Sequence, residues 1–319
     1  MPRKLSPEFI LDLQENGMLH PLLMRVLIDD TLMLAIRNNY INIYYRGGNI
    51  IQLEEKSKHQ YEASFDENYA KPFPDLLLEL PEKLVGSKTS IEQWIKSIPS
   101  MKQAMDFWFH KNIKSEREFQ QLIARENNYS NISNDTEYFI ADIELTDVDI
   151  GARFDMLAFK WPAEERTSGK IQLALVEMKY GDDTLCGKSG ILAHFNQMSA
   201  YLTDDIKRTA IADMATEQIN QLNTLGLIQH TKGKAREFKV DASHFEVIYI
   251  FANHNPRSTV LLGELKKLRE EWHKTANKMF DLRFFISSTA GYAMHIKCMK
   301  DINGYIEFLE FLNPGNIQG

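Results

Sequence analysis

IQLALVEMKYG, residues 171–181, decides the fold. In an extended chain successive side chains point to opposite faces, so Leu173, Leu175, Glu177 and Lys179 share one face. Two opposite charges therefore continue an apolar face at the end of the strand. Burying either alone costs several kcal/mol, so each needs a partner, water or a metal ion.

The preceding stretch, ARFDMLAFKW (152–161), offers one. Asp155 shares a face with Arg153, Leu157 and Phe159. PAEERTSG (162–169) reads as the connection of a hairpin, and a hairpin symmetric about Arg166 sets Asp155 directly opposite Glu177. A slip of one residue would turn the two acids to opposite faces. Paired carboxylates repel unless a cation joins them, and oxygen ligands completed by water suit Mg²⁺ or Mn²⁺.

Outward from this hairpin, Tyr138–Leu145 is a further strand, and the continuously apolar Phe245–Ala252 reads as a strand buried on both faces. Ser189–Leu202 and Asp204–Leu225 read as helices, the second stopped by Gly226. A long helical stretch covers 100–127, with a break near Asn112. The order from residue 100 to 253 is then α-β-β-β-α-(α)-β. Further on, a helix over Val260–Lys278, a hairpin Arg283–Ser288/Tyr292–Met299 and a short terminal helix are expected. The first 99 residues form a separate α+β module: helices over Ser6–Asn16 and Pro21–Ile28, then strands over Thr31–Arg37, Tyr40–Arg46, Asn49–Glu55 and Gln60–Phe65. Asn38-Asn39 and Gly47-Gly48 are their turns.

An Asp on one strand and Glu-x-Lys on the next, with a helix before and after, resembles the PD-(D/E)XK nuclease superfamily. The elements here are Asp155 in RFDMLAF and Glu177-Met178-Lys179 in LVEMKYG, with Phe154 where the superfamily's name has Pro. HFNQMSAYL, with Gln197 and Tyr201 four apart on one helix face, resembles the QxxxY feature of the RecB-like branch. SEREF resembles the first helix of archaeal Holliday-junction resolvases, whose acid aligns with Glu116. Glu126 lies on the same stripe as a rival, and Glu118 points further off it.

The resemblance implies a restriction-endonuclease-like α/β fold with an αβββαβ core at about 100–255 inside a domain spanning 100–319. It implies hydrolysis of phosphodiester bonds, in DNA first of all, with Mg²⁺ or Mn²⁺ held by Asp155, Glu177, the Met178 carbonyl and Glu116. Lys179 would orient the attacking water or stabilise the transition state, and Gln197 and Tyr201 would position the backbone or support the site. Nucleic acid is the expected partner, a homodimer is compatible with this reading, and the alternative is a binding or scaffold protein that keeps the fold without turnover. Asp142 and Glu144 share the polar face of the first strand and are expected in solvent. His194 and His254 flank the site.

Composition limits these readings. The chain has 319 residues, with 37 Lys and Arg against 44 Asp and Glu, a formal charge of −7. That excludes a polycation coating nucleic acid by bulk charge, and leaves open a local phosphate site carrying a metal. Two cysteines cannot form a disulfide framework or a four-thiolate zinc site, and no run of about 18 apolar residues is present, so a cytoplasmic protein is expected. GDDTLCGKS (181–189) imitates a phosphate-binding loop but has one residue too many before Gly-Lys-Ser, and its two acids would repel phosphate. The basic stretch HTKGKAREFKVD reads as an exposed loop.

Overall fold

The computed structural model describes residues 2–71, 79–128, 136–147, 152–162, 169–228, 237–255, 258–276, 278–286 and 291–313. These form a mixed α/β structure with eight α-helices and two sheets among the described residues. Two compact units result: residues 1–130 with 217–229, and residues 131–216 with 230–319.

The first unit begins with α1 (Pro7–Leu13) and α2 (His20–Ile28), and Ser6 caps α1 by accepting the Phe9 amide. A five-stranded antiparallel sheet follows in sequential order: β1 (Leu32–Ile36), β2 (Tyr40–Tyr45), β3 (Gly48–Ser57), β4 (Gln60–Ser64) and β5 (Leu84–Val85). The β2–β3 turn is Arg46-Gly47, both at positive φ (51° and 75°), one residue earlier than the expected Gly47-Gly48. Arg46 is held there by ion pairs to Asp106 and Glu118, while Gly48 lies against Met105, Tyr69 and Phe109.

Two helices complete this unit, α3 (Lys88–Lys111) and α4 (Ser115–Asn128). The break near Asn112 is the C-cap of α3. The expected domain boundary at 99/100 falls inside α3, beside Pro99. Proline in a helix costs about 3 kcal/mol, and burial of Ile91, Trp94, Ile98, Met101, Ala104, Met105 and Phe109 along one face offsets it. The helix expected to open the nuclease-like core, α4, belongs to this first unit. Its Gln121 accepts the Gly47 amide and donates to the Thr31 and Tyr44 carbonyls (2.8 and 3.1 Å), so one amide ties helix to sheet.

The second unit is built on β6 (Tyr138–Asp147), β7 (Ala152–Lys160) and β8 (Lys170–Tyr180). Next come α5 (Ile191–Thr203), α6 (Asp205–Thr224, whose residues from 217 on count with the first unit) and β9 (Lys239–Val240). β10 (Phe245–Ala252), α7 (Val260–Lys274), β11 (Phe280–Phe285), β12 (Met299–Lys300) and α8 (Ile302–Leu312) follow. The sheet runs β12-β11-β10-β8-β7-β6, with β9 also pairing β8. β6, β7 and β8 are mutually antiparallel, and β10 lies parallel to β8. The expected C-terminal hairpin shrinks to two pairs, Phe284↔Lys300 and Phe285↔Met299, because β11 runs parallel to β10 and only Met299–Lys300 closes on it. Most of 162–169 and of the basic stretch lies outside the described residues. Among the described residues no helix is long and apolar enough to cross a membrane.

Glycine geometry gives a matched test of the two units. At Gly47 an added Cβ would come within 2.4 Å of the Arg117 carbonyl oxygen, at a φ that side chains avoid. At Gly263, in α7, nothing lies within 4 Å. Gly47→Ala is expected to destabilise the protein by more than ~1 kcal/mol, and Gly263→Ala to stabilise it by up to ~1 kcal/mol. Urea denaturation of both variants checks the signs.

Candidate functional site

The β7–β8 register is the one that hairpin symmetry about Arg166 requires: Met156↔Val176, Leu157↔Leu175, Ala158↔Ala174, Phe159↔Leu173 and Lys160↔Gln172. The ladder ends at Met156↔Val176, one residue short of Asp155 and Glu177. At that point a side chain replaces the ladder: Asp155 Oδ2 accepts the Met178 amide at 2.8 Å. Asp155 and Lys179 are 5% exposed and Glu177 is 1% exposed, so all three charges are out of water.

Lys179 Nζ lies 2.6 Å from Glu177 Oε1 and donates to the Ser189 carbonyl at 2.8 Å. His194 Nδ1, from α5, touches the same Oε1. Both contacts are close, yet neither nitrogen approaches with hydrogen-bond geometry, and Glu177 Oε2 has no hydrogen-bond partner. The same sheet provides a control. Glu246 on β10 is also 1% exposed, but Tyr138 Oη donates to one of its oxygens (2.8 Å) and Lys160 Nζ to the other (2.6 Å). Glu246 is a satisfied structural carboxylate, whereas Glu177 is buried with lone pairs unspent.

β10 forms the other wall. Tyr249 is the register partner of Glu177, and Phe251 that of Lys179. Tyr249 is fully buried and its hydroxyl donates to the Ile191 carbonyl at the start of α5 (3.2 Å). Burial, together with the charges of Glu177 and Asp155, pushes its phenol well above the ordinary range. The rings of Tyr249, Phe251 and Phe284 stack at interplanar angles of 14–16°. Beyond the strand ends, His254 Nδ1 meets Asp182 Oδ1 at 2.6 Å. Burial opposes it, but hydrogen bonds from Ser258, His254 and the Asn255 amide hold the Asp182 carboxyl below its usual value.

The remaining expected residues separate. Tyr201 is buried edge-on against Phe154, with ring centroids 5.5 Å apart, while Gln197 is exposed. The residue by which α5 reaches the acids is His194, one turn before Gln197. Glu116, Glu118 and Glu126 all lie on α4 in the first unit, where Glu118 pairs with Arg46.

Two acids expected in solvent are placed differently. The β6 register shifts between Ile140 and Asp142, so Asp142 pairs with Leu157 and turns to the face of Asp155, with 0% exposure. Glu144 follows on that face between the pairs Ile143↔Met156 and Leu145↔Phe154, at φ 58°, 3.5 Å from Arg153. A bulge has no signature in YFIADIELTD beyond the lost alternation. The GDDTLCGKS segment folds into two short 3₁₀ turns whose amides are spent internally, Leu185 on Asp182, Gly190 on Gly187 and Ile191 on Leu185.

Among the described residues no three of His, Cys, Asp and Glu stand together as a preformed metal cage. The unspent Oε2 of buried Glu177, beside Asp155, is nonetheless the donor chemistry that a hard divalent ion requires. No family model matches the sequence, and neither the curated proteins nor the solved structures contain a match.

Tyr249 yields a pH test. The folded protein keeps this phenol protonated where the unfolded chain ionises near pH ~10, so its contribution is complete below that pH and declines above it. In Tyr249→Phe the fall of unfolding free energy with pH above 10 should be shallower, by up to ~1.4 kcal/mol per pH unit. Equal slopes in urea titrations of the two proteins would contradict this placement of Tyr249.

Proposed function

We propose that this protein is a divalent-metal-dependent nuclease with a restriction-endonuclease-like core, acting on DNA. The observation that carries the proposal is the contrast within one sheet between Glu246, fully hydrogen-bonded, and Glu177, equally buried and unsatisfied. An unsatisfied buried carboxylate costs stability and persists where a ligand completes it. The strand–strand–helix order, the Asp155/Glu177 register and Lys179 two residues on support the reading.

In this reading Asp155, Glu177 and the Met178 carbonyl hold Mg²⁺ or Mn²⁺. The ion, when bound, lowers the pKa of water and offsets charge on the phosphate. Asp155 is oriented for this by the Met178 amide, which fixes one of its oxygens. Lys179 would donate to the attacking water or to the phosphate oxygen that gains charge. Its ammonium stays within reach because the Ser189 carbonyl anchors it. Tyr249 and the aromatic stack behind it exclude water from one side, so charge interactions act at full strength. Tyr201 supports α5 from Phe154, and the exposed Gln197 is available to the sugar–phosphate backbone.

Purified protein with Mn²⁺ and a panel of linear, circular and branched DNA and of RNA should show metal-dependent cleavage of DNA. Asp155→Asn and Glu177→Gln should each lose at least ~100-fold of it while remaining folded by circular dichroism. Undiminished cleavage by either folded variant would refute the assignment. Absence of cleavage on every substrate by the wild type would favour the scaffold alternative.

A further inference from the structure

We propose that His194 provides a nitrogen ligand to the ion held at Glu177, so that the site selects Mn²⁺ over Mg²⁺. This rests on the metal-dependent reading above and names the metal chemistry of that same site. His194 Nδ1 and Lys179 Nζ crowd one oxygen of Glu177, and neither makes a directed hydrogen bond to it. An ion pair selected for stability would look like Glu246, with its donors on separate oxygens. Here instead a carboxylate oxygen and an imidazole nitrogen, the donor types a transition-metal ion takes, lie in direct contact in a buried cluster.

The position of His194 is set by the backbone. Its amide bonds to the Gly190 carbonyl, Ile191 N to the Leu185 carbonyl, and the Tyr249 hydroxyl to the Ile191 carbonyl. The first turn of α5 is therefore pinned above β8 and β10, which holds the backbone of His194 beside Glu177 while its side chain stays free to turn. Its side chain is 20% exposed, which leaves a route for an ion from solvent. Because no three-donor cage is preformed among the described residues, the Glu177–His194 pair opens around the ion as it binds.

Imidazole in the donor set decides which ion is favoured. Carboxylate, carbonyl and water suit Mg²⁺ and Mn²⁺ alike, whereas a nitrogen ligand favours later first-row ions over magnesium. Mn²⁺ satisfies both the carboxylates and the imidazole.

Pulsed electron paramagnetic resonance of Mn²⁺ added to the full chain tests this directly. Wild-type protein should show the ¹⁴N modulation of a directly bound imidazole, and His194→Gln should lose it. Calorimetry should show the preference for Mn²⁺ over Mg²⁺ falling by roughly tenfold or more in His194→Gln. Suppose the wild type binds Mn²⁺ and Glu177→Gln does not, yet no imidazole coupling appears or it survives in His194→Gln. The metal reading then stands and the role of His194 is overturned. If the wild type binds no Mn²⁺, both fall together.

Discussion

A carboxylate buried to 1% exposure in the interior of a sheet, Glu177, is the constraint on which the rest of this unit turns. Removing a charge from water costs several kcal/mol, and the surroundings are organised around that cost. The β7–β8 ladder stops where the acids begin, and Asp155 takes over the Met178 amide. The segment after β8 bends back so that the Ser189 carbonyl can hold Lys179 beside Glu177. Tyr249 anchors the first turn of α5 and with it His194. Even so, Glu177 is left without a directed hydrogen bond, while Glu246 in the same sheet has two. One buried carboxylate of the sheet is thus completely hydrogen-bonded and the other is not.

The hairpin was legible because two simple regularities coincide in it. Alternation sorted Asp155 and Glu177 onto one face each, and the centre of the connection fixed which residues meet, as the pair Met156↔Val176 bears out. The strand ends and the continuous apolar run Phe245–Ala252 followed from the same periodicity. What escaped depends on contacts between distant segments. The bulge at Ile140/Asp142 turns Asp142 inward by adding one residue, and nothing local in the sequence marks it. Helix α3 runs through Pro99 because its apolar face is buried, a tertiary effect that outweighs the residue's own preference. The attachment of α4 to the first sheet includes the amide of Gln121, which stands in a run of polar residues. His194 had a faint signal, one helical turn before Gln197, but the periodicity that singled out Gln197 and Tyr201 does not say which side chain reaches the acids.

Placement of α4 matters for the chemistry. Glu116, Glu118 and Glu126 count with the first unit, where Glu118 is engaged with Arg46 at the β2–β3 turn. Within the second unit the polar set is Asp155, Glu177, Lys179 and His194, with Asp142 and Glu144 on the same face. This face also gives the formal charge of −7 a local meaning. Acids concentrated at one sheet end repel nucleic acid until a cation offsets them, so affinity for phosphate would itself depend on the metal.

The central claim is that Glu177 is kept for a ligand and not for stability. Thermal unfolding of wild type and Glu177→Gln, each with and without excess Mn²⁺, addresses it most directly, because a ligand that binds only the folded state raises the melting temperature. The account predicts that Mn²⁺ raises the melting temperature of the wild type and leaves that of Glu177→Gln unchanged. A wild type indifferent to Mn²⁺ would show that Glu177 and Lys179 are a structural ion pair.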